Sequence, residues 1–174
     1  MRGETFDGGE NALQAKARAG RAMVSARAKA MWEEYRKSNS AGDVPARCPK
    51  RLVLELLGCD PTDVAERREK GQAVLNMLCL TSRIQTIPFR VVPGRPSYDK
   101  GYYDYDKDAG LGRSVTVYNS PSMSGEPVDG ESFLETLCHE FCHHWDVQAL
   151  KLKDCYHTPG FYRRVENLYR KLTS

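Results

Sequence analysis

Residues 131–152 read ESFLETLCHEFCHHWDVQALKL, and their periodicity decides what the rest of the chain has to build. Leu134, Leu137, Phe141 and Trp145 recur at i, i+3, i+7 and i+11, the apolar stripe of an amphipathic helix packed on a core. His139 and His143 stand one turn apart on that helix. Side chains at i and i+4 project from one face, so both imidazoles reach a single cation. Glu140 follows the first histidine, where its carboxylate reaches a water at the cation rather than the cation itself. The run His139-Glu140-Phe141-Cys142-His143 is thus an HExxH arrangement.

A tetrahedral catalytic zinc takes three protein ligands and keeps a fourth position open. The third ligand in this reading is His157, in CYHTPGFYRRVENLYRKL (155–172). The spacing leaves room for the rest of the helix, a turn near Lys153-Asp154, and a new helix starting at about Pro159. All four histidines fall between positions 139 and 157, a clustering that core packing alone does not require. His144 is rotated about 100° from His143 and reads as a neighbour of the site or an exposed residue. Asp146, three residues after His143, reads either as a hydrogen-bond partner of a ligand histidine or as an exposed carboxylate. Cys138 and Cys142 share an i, i+4 relation, but their neighbours put them on the apolar side as small core residues. A Cys–His thiol protease is the poorer reading, because nothing in the sequence signals a third group to orient the base.

Upstream, the composition predicts helices first and strands second. Ala12 to Lys37 is rich in Ala, Lys, Arg, Met and Glu, with Gly20 its only glycine and no proline, which favours a helix. Leu13, Ala17, Met23, Val24, Ala28, Met31 and Tyr35 roughly follow helical spacing and predict one buried stripe. SNSAGDVPARCP (38–49) is a polar loop, and Arg51–Leu57 is a short apolar run open to helix or strand. Asp60-Pro61 predicts an N-cap and first helical residue for a helix reaching about Leu80. Residues 87–92 read as a strand ending at Pro93-Gly94. Tyr102–Tyr105 and Arg113–Tyr118 read as two strands joined by a hairpin loop. A short antiparallel sheet after a helical half makes the class α+β.

A chain of 174 residues, 40% hydrophobic and 28% charged, suits one globular domain with a core and argues against wholesale disorder. It contains no apolar run long enough for a membrane span. MRGETFDGGENALQAKARAG (1–20) has no apolar core of a secretory signal. The six scattered cysteines contain no CxxC pair, which predicts free thiols in a reducing cytoplasm and speaks against a zinc ribbon. Charge is uneven: residues 1–53 carry 11 Lys/Arg against 6 Asp/Glu, whereas 99–146 carry 3 against 10. The basic N-terminal segment reads first as a solvated helix face, and second as a surface for nucleic-acid phosphates.

The run Thr136-Leu137-Cys138-His139-Glu140-Phe141-Cys142-His143, followed by His157-Thr158-Pro159-Gly160-Phe161, resembles the SprT-like metallopeptidases. In that family HExxH is followed some twenty residues later by an H-G-x-x-F element opening the next helix. His157 and Phe161 match it, and Thr158 stands where glycine is usual. The likeness covers roughly residues 87–174, with the specific motifs confined to 136–161. It implies a SprT-like zincin domain over 51–174, with helices, a small antiparallel sheet or hairpin, the HExxH helix and a C-terminal helix. Residues 1–50 stand outside it as an N-terminal helical extension. It further implies zinc (Zn2+) held by His139, His143 and His157, with Glu140 as general base in the hydrolysis of a protein or peptide substrate. Tyr162 or Arg163 is then the expected donor to the developing oxyanion. The strand RSVTVY (113–118) is the expected open edge for an extended substrate. Members of the family that trim proteins crosslinked to DNA make DNA a possible partner. This chain ends thirteen residues after Phe161, so it is expected to lack the zinc-ribbon or DNA-binding tail of many relatives. Two rivals stand beside this expectation: a non-catalytic zinc module, and a DNA-binding regulator on a degenerate peptidase fold. Neither explains Glu140 as economically as hydrolysis does.

Overall fold

The computed structural model describes residues 8–94, 99–120 and 125–174. The chain is α+β and divides into two units, Met1–Arg36 and Lys37–Ser174. Helix α1 (Gly8–Ser40) occupies the Ala-, Lys- and Arg-rich segment, as its propensity predicts. Of the expected buried stripe, Met23, Val24 and Met31 are 73, 68 and 49% exposed, and the side chains of Leu13 and Ala17 lie outside the described residues. Helical spacing reports which residues share a face, not whether another element covers that face. Trp32, 61% exposed, instead stacks on Tyr35 at 5.4 Å within the helix itself.

In the second unit, the run left open between helix and strand is helix α2 (Lys50–Leu57), which buries Val53 and Leu56. Helix α3 (Val64–Ser82) starts later than Asp60-Pro61 predicts. Its cap is Asp63, whose carboxylate accepts from the Glu66 N–H at 2.9 Å. Asp60 closes a turn ahead of the helix, accepting from the Thr62 N–H at 2.8 Å and the Thr62 hydroxyl at 2.7 Å. An aspartate two residues before a donor favours such a turn as readily as a helix start.

Strands β1 (Phe89–Gly94), β2 (Gly101–Asp106) and β3 (Leu111–Ser120) form one sheet in the order β1-β3-β2. The sheet is mixed rather than antiparallel. Strands β2 and β3 form the expected hairpin, but β1 runs parallel to β3, with Phe89 opposite Val115 and Val92 opposite Tyr118. Consequently RSVTVY lies in the central strand, paired on both sides, and offers no edge. Its burial explains the placement: Val115 and Thr116, neighbours that point to opposite faces, are both 0% exposed, and a β-branched run buried on both faces belongs inside a sheet. Among the described residues, the edge strand on the side of the HExxH helix is β2.

Helix α4 (Gly130–Ala149) is capped by Asp129, which accepts from the Ser132 N–H at 2.7 Å. It packs on β3 and β2, with helix α5 (Pro159–Thr173) alongside. Leu134, Leu137 and Phe141 are each 0% exposed and join Val74, Leu75 and Leu78 of α3 and Val115 of β3 in one core. Cys138 and Cys142 are fully buried and free, as small core residues are. No helix among the described residues is long and apolar enough to cross a membrane.

Candidate metal centre

The three histidines singled out by their spacing converge. His139 and His143 present Nε2 atoms 3.2 Å apart from α4, and His157 brings its own Nε2 to 3.0 Å from His139 and 3.1 Å from His143. Three imidazole nitrogens cannot satisfy one another in a triangle, because each neutral ring has one donor and one acceptor and an N–H points at one partner only. Ligands about 2.0–2.1 Å from a tetrahedral cation stand roughly 3.3 Å apart. The observed triangle is that size, so the donor set fits one transition-metal ion such as zinc.

Local sequence accounts for each ligand's position. The i, i+4 spacing places the pair on one face of α4. His157 immediately precedes the α5 N-cap, Thr158, whose hydroxyl accepts from the Phe161 N–H at 3.0 Å. This cap gives a physical reason for threonine at the position where the resemblance predicts glycine. Pro159 occupies the first turn, where a missing N–H costs nothing. Phe161, 0% exposed, is a shared floor: its ring stacks on His143 at 4.3 Å and meets His139 and His157 edge-on at 4.9 and 5.3 Å.

Gly160 allows the start of α5 to touch the end of α1. Its N–H donates to Asn39 Oδ1 at 2.8 Å, and a Cβ there would meet the Asn39 carbonyl oxygen at 2.0 Å. Because the obstacle is backbone, Gly160→Ala is expected to destabilise the protein by about 2–3 kcal/mol, a drop in Tm of roughly 5–10 °C by calorimetry. An unchanged Tm would show that this approach is not tight.

Electrostatics leave the ligands unprotonated. Burial pulls His139 down to about 4, helped by His157 and Lys100, and pulls His143 down further, helped by its two partner imidazoles. Burial lowers His157 as well. Neutral imidazole is the form that a metal requires. Glu140 is 6% exposed, and burial pushes its carboxyl up to about 8, with Asp99 adding to the rise and the Tyr103 backbone N–H opposing it. A proton acceptor poised near neutrality is suited to general acid–base work.

The site opens into a cleft of ≈ 460 Å³, walled by Gly101–Tyr103 of β2, by α4, and by Tyr162 and Val165 of α5. Tyr162 is 53% exposed and lies 5.8 Å from the His157 ring. Arg163 is exposed and does not line the cleft. Its neighbour Arg164 is fully buried and was not singled out by the sequence. Arg164 holds both carboxylate oxygens of Asp146, at 2.8 and 2.6 Å, while Ser38 Oγ donates to Asp146 at 3.3 Å. Asp146 is therefore neither an exposed carboxylate nor a partner of His143, whose Nδ1 is buried without a hydrogen bond. The His143 ring is oriented by its stack on Phe161 instead. His144 is 0% exposed, hydrogen-bonded through Nε2 to the Gln85 carbonyl at 2.7 Å and through Nδ1 to the Tyr103 hydroxyl at 3.1 Å.

No family model matches the chain, and neither a curated protein nor a solved structure is significantly similar to it.

Proposed function

We propose that this chain is a zinc-dependent peptidase of the SprT-like kind, with His139, His143 and His157 holding the metal and Glu140 acting as general base. The observation that carries the reading is the triangle of Nε2 atoms, 3.0–3.2 Å on a side, with a buried carboxylate on the next residue of the same helix turn. A zinc ion held there supplies Lewis acidity toward a water and a peptide carbonyl. Glu140 takes the proton of the attacking water at its carboxylate and returns it to the leaving amine. Tyr162, at the cleft wall beside His157, is the better placed of the two expected oxyanion donors.

The position of β2 as the edge strand at the cleft supports a protein or peptide substrate. An extended backbone adding to Gly101–Tyr103 lies along the HExxH face of α4, and main-chain hydrogen bonds hold it without demanding a particular sequence. DNA association is a separate part of the proposal, supported by exposed cations on α1 such as Arg18, Arg27 and Lys29. A purely structural zinc module is disfavoured by Glu140. Keeping a buried carboxylate whose ionisation burial opposes serves hydrolysis and not stapling.

Metal content tests the centre. Purified protein is expected to carry one zinc per chain by elemental analysis, and His157→Ala to bind it about 100-fold more weakly through the two remaining histidines. Protein that neither contains zinc nor takes it up when supplied would sink the proposal.

A further inference from the structure

His157 is held differently from its two partners. His139 and His143 are fixed by the α4 backbone, whereas His157 belongs to residues 150–158, which lie between α4 and α5 and are in neither helix nor strand. Thr158 fixes the far end of that segment as the α5 cap, and the Leu152 N–H donates to the Asp146 carbonyl of α4 at 3.3 Å; between these two points, the segment is held by β2. Tyr105 reaches the segment through its hydroxyl, 3.3 Å from Asp154 Oδ1 and 3.4 Å from the Lys153 carbonyl oxygen. Lys107, just past the end of β2, donates to Asp154 Oδ2 at 2.7 Å. Asp154 Oδ1 also accepts from the Cys155 N–H at 3.2 Å, so the carboxylate gathers the segment's own backbone.

The other side of Tyr105 is braced on α4. Its ring lies parallel to that of Tyr103, with centroids 5.1 Å apart and planes 2° from coplanar, and Tyr103 in turn packs on His144 at 5.3 Å. The far end is anchored directionally. The Gln85 carbonyl can only accept, so His144 Nε2 carries the proton and Nδ1 accepts from the Tyr103 hydroxyl. The backbone is adapted to this line of rings. Tyr105 pairs with Gly112 and Asp104 with Ser114, leaving Arg113 as an extra residue of β3. Such a bulge bends a strand and re-aims its side chains. A Cβ on Gly112 would lie 2.7 Å from the His144 ring and 2.8 Å from the Tyr103 hydroxyl. Glycine at that position leaves the space in which the two meet.

We propose that His144, Tyr103 and Tyr105 form a strut from α4 across β2 to residues 153–155, and that Tyr105 is the positioning residue through which it holds His157 at the metal centre. The strut touches no ligand nitrogen. It lowers the freedom that His157 would otherwise lose on binding metal, and so raises affinity through the third ligand alone. The inference rests on the zinc reading above, but not on catalysis.

That dependence gives a test by double-mutant cycle on zinc affinity, measured against a competing chelator. Tyr105→Ala is expected to weaken zinc about 10-fold or more in the wild-type background, and less than about 2-fold in His157→Ala, where the ligand it positions is already gone. The cobalt(II) absorption spectrum of Tyr105→Ala should shift toward that of His157→Ala. An equal loss in both backgrounds would mean that Tyr105 merely supports the fold, and no loss in the wild-type background would remove its role; either result overturns the strut. Should Tyr105→Ala lose its far-UV circular dichroism, Tyr105→Phe carries the test. It keeps the ring stack and deletes only the hydroxyl, with about a 3-fold loss and the same dependence on His157 expected. Unchanged affinity in Tyr105→Phe would then overturn the proposal. Failure of the wild-type protein to bind zinc would sink the metal centre and the strut together, whereas zinc binding without peptide hydrolysis would leave the strut standing.

Discussion

Glu140→Gln is expected to abolish peptide hydrolysis while leaving zinc in place and making the metal-free protein more heat-stable. The first half follows from the role of the carboxylate: an amide of the same shape cannot accept the proton of the attacking water. Loss of a general base costs about 10²–10⁴-fold in kcat. Zinc content should be unchanged, because the three imidazoles stay on their elements. The stability half follows from burial. Glu140 is 6% exposed, and its carboxyl is pushed up from the ordinary 4.5 to about 8. In the unfolded chain it ionises near 4.5, so the folded state binds the extra proton throughout the interval between the two values. Stability from this group is complete below 4.5 and is lost as pH rises toward 8. Glutamine has no such slope. The Tm advantage of Glu140→Gln in the metal-free protein should therefore be small at pH 5 and grow toward pH 8. There it reaches roughly 4 kcal/mol, or about 8–16 °C. Thermal scans of both proteins at several pH values read this directly. A variant that hydrolyses peptides like the wild type would remove Glu140 from the chemistry. Equal Tm values at pH 8 would mean that the carboxylate is not held in a dry site.

The second large effect concerns Asp146 and Arg164, which are 0% exposed and joined by two short hydrogen bonds. The guanidinium also donates to the Ser38 carbonyl oxygen at 2.6 Å. The pair ties α4, α5 and the end of α1 together directly beneath the ligand helix. Replacing both partners with apolar residues of similar volume is often nearly neutral, but removing one strands the other. Asp146→Ala leaves a buried guanidinium whose remaining hydrogen bonds among the described residues go to Ser38, a cost of about 3–5 kcal/mol. With native proteins stable by only about 5–15 kcal/mol, that is enough to leave much of the chain unfolded at moderate temperature. Urea denaturation of Asp146→Ala and of the double variant Asp146→Leu, Arg164→Met separates the two contributions. The double variant should recover at least half of the loss. If Asp146→Ala costs less than about 1 kcal/mol, the pair is not dry and does not lock the helices.

How much of this was legible beforehand depended on how far apart the cooperating residues lie. The helix carrying His139, Glu140 and His143 was readable because helical spacing is a property of neighbours: four residues apart means one face, whatever surrounds it. The start of α5 at Pro159 was readable for the same reason, since Thr158 caps it locally. Asp60 misled because a local signal had two local solutions, a turn and a cap, and Asp63 with Glu66 made the better helix start. The stripe on α1 was a correct reading of periodicity joined to an assumption about burial that periodicity does not support.

The sequence by itself determined which residues can share a face: the histidine pair with its carboxylate, the β-branched run, and the capped C-terminal helix. Only the tertiary structure decided what those faces meet. Strand β1 runs parallel to β3 and makes RSVTVY central, so the edge strand at the cleft is β2. Asp146 finds Arg164, 18 positions away, and Ser38, 108 positions away, in place of the histidine three residues before it. His144 turns inward to Tyr103, 41 positions earlier in the chain. Each of these pairings sets a favourable contact against the entropy of closing a long loop, and which contact wins depends on the whole packed core rather than on any segment of it.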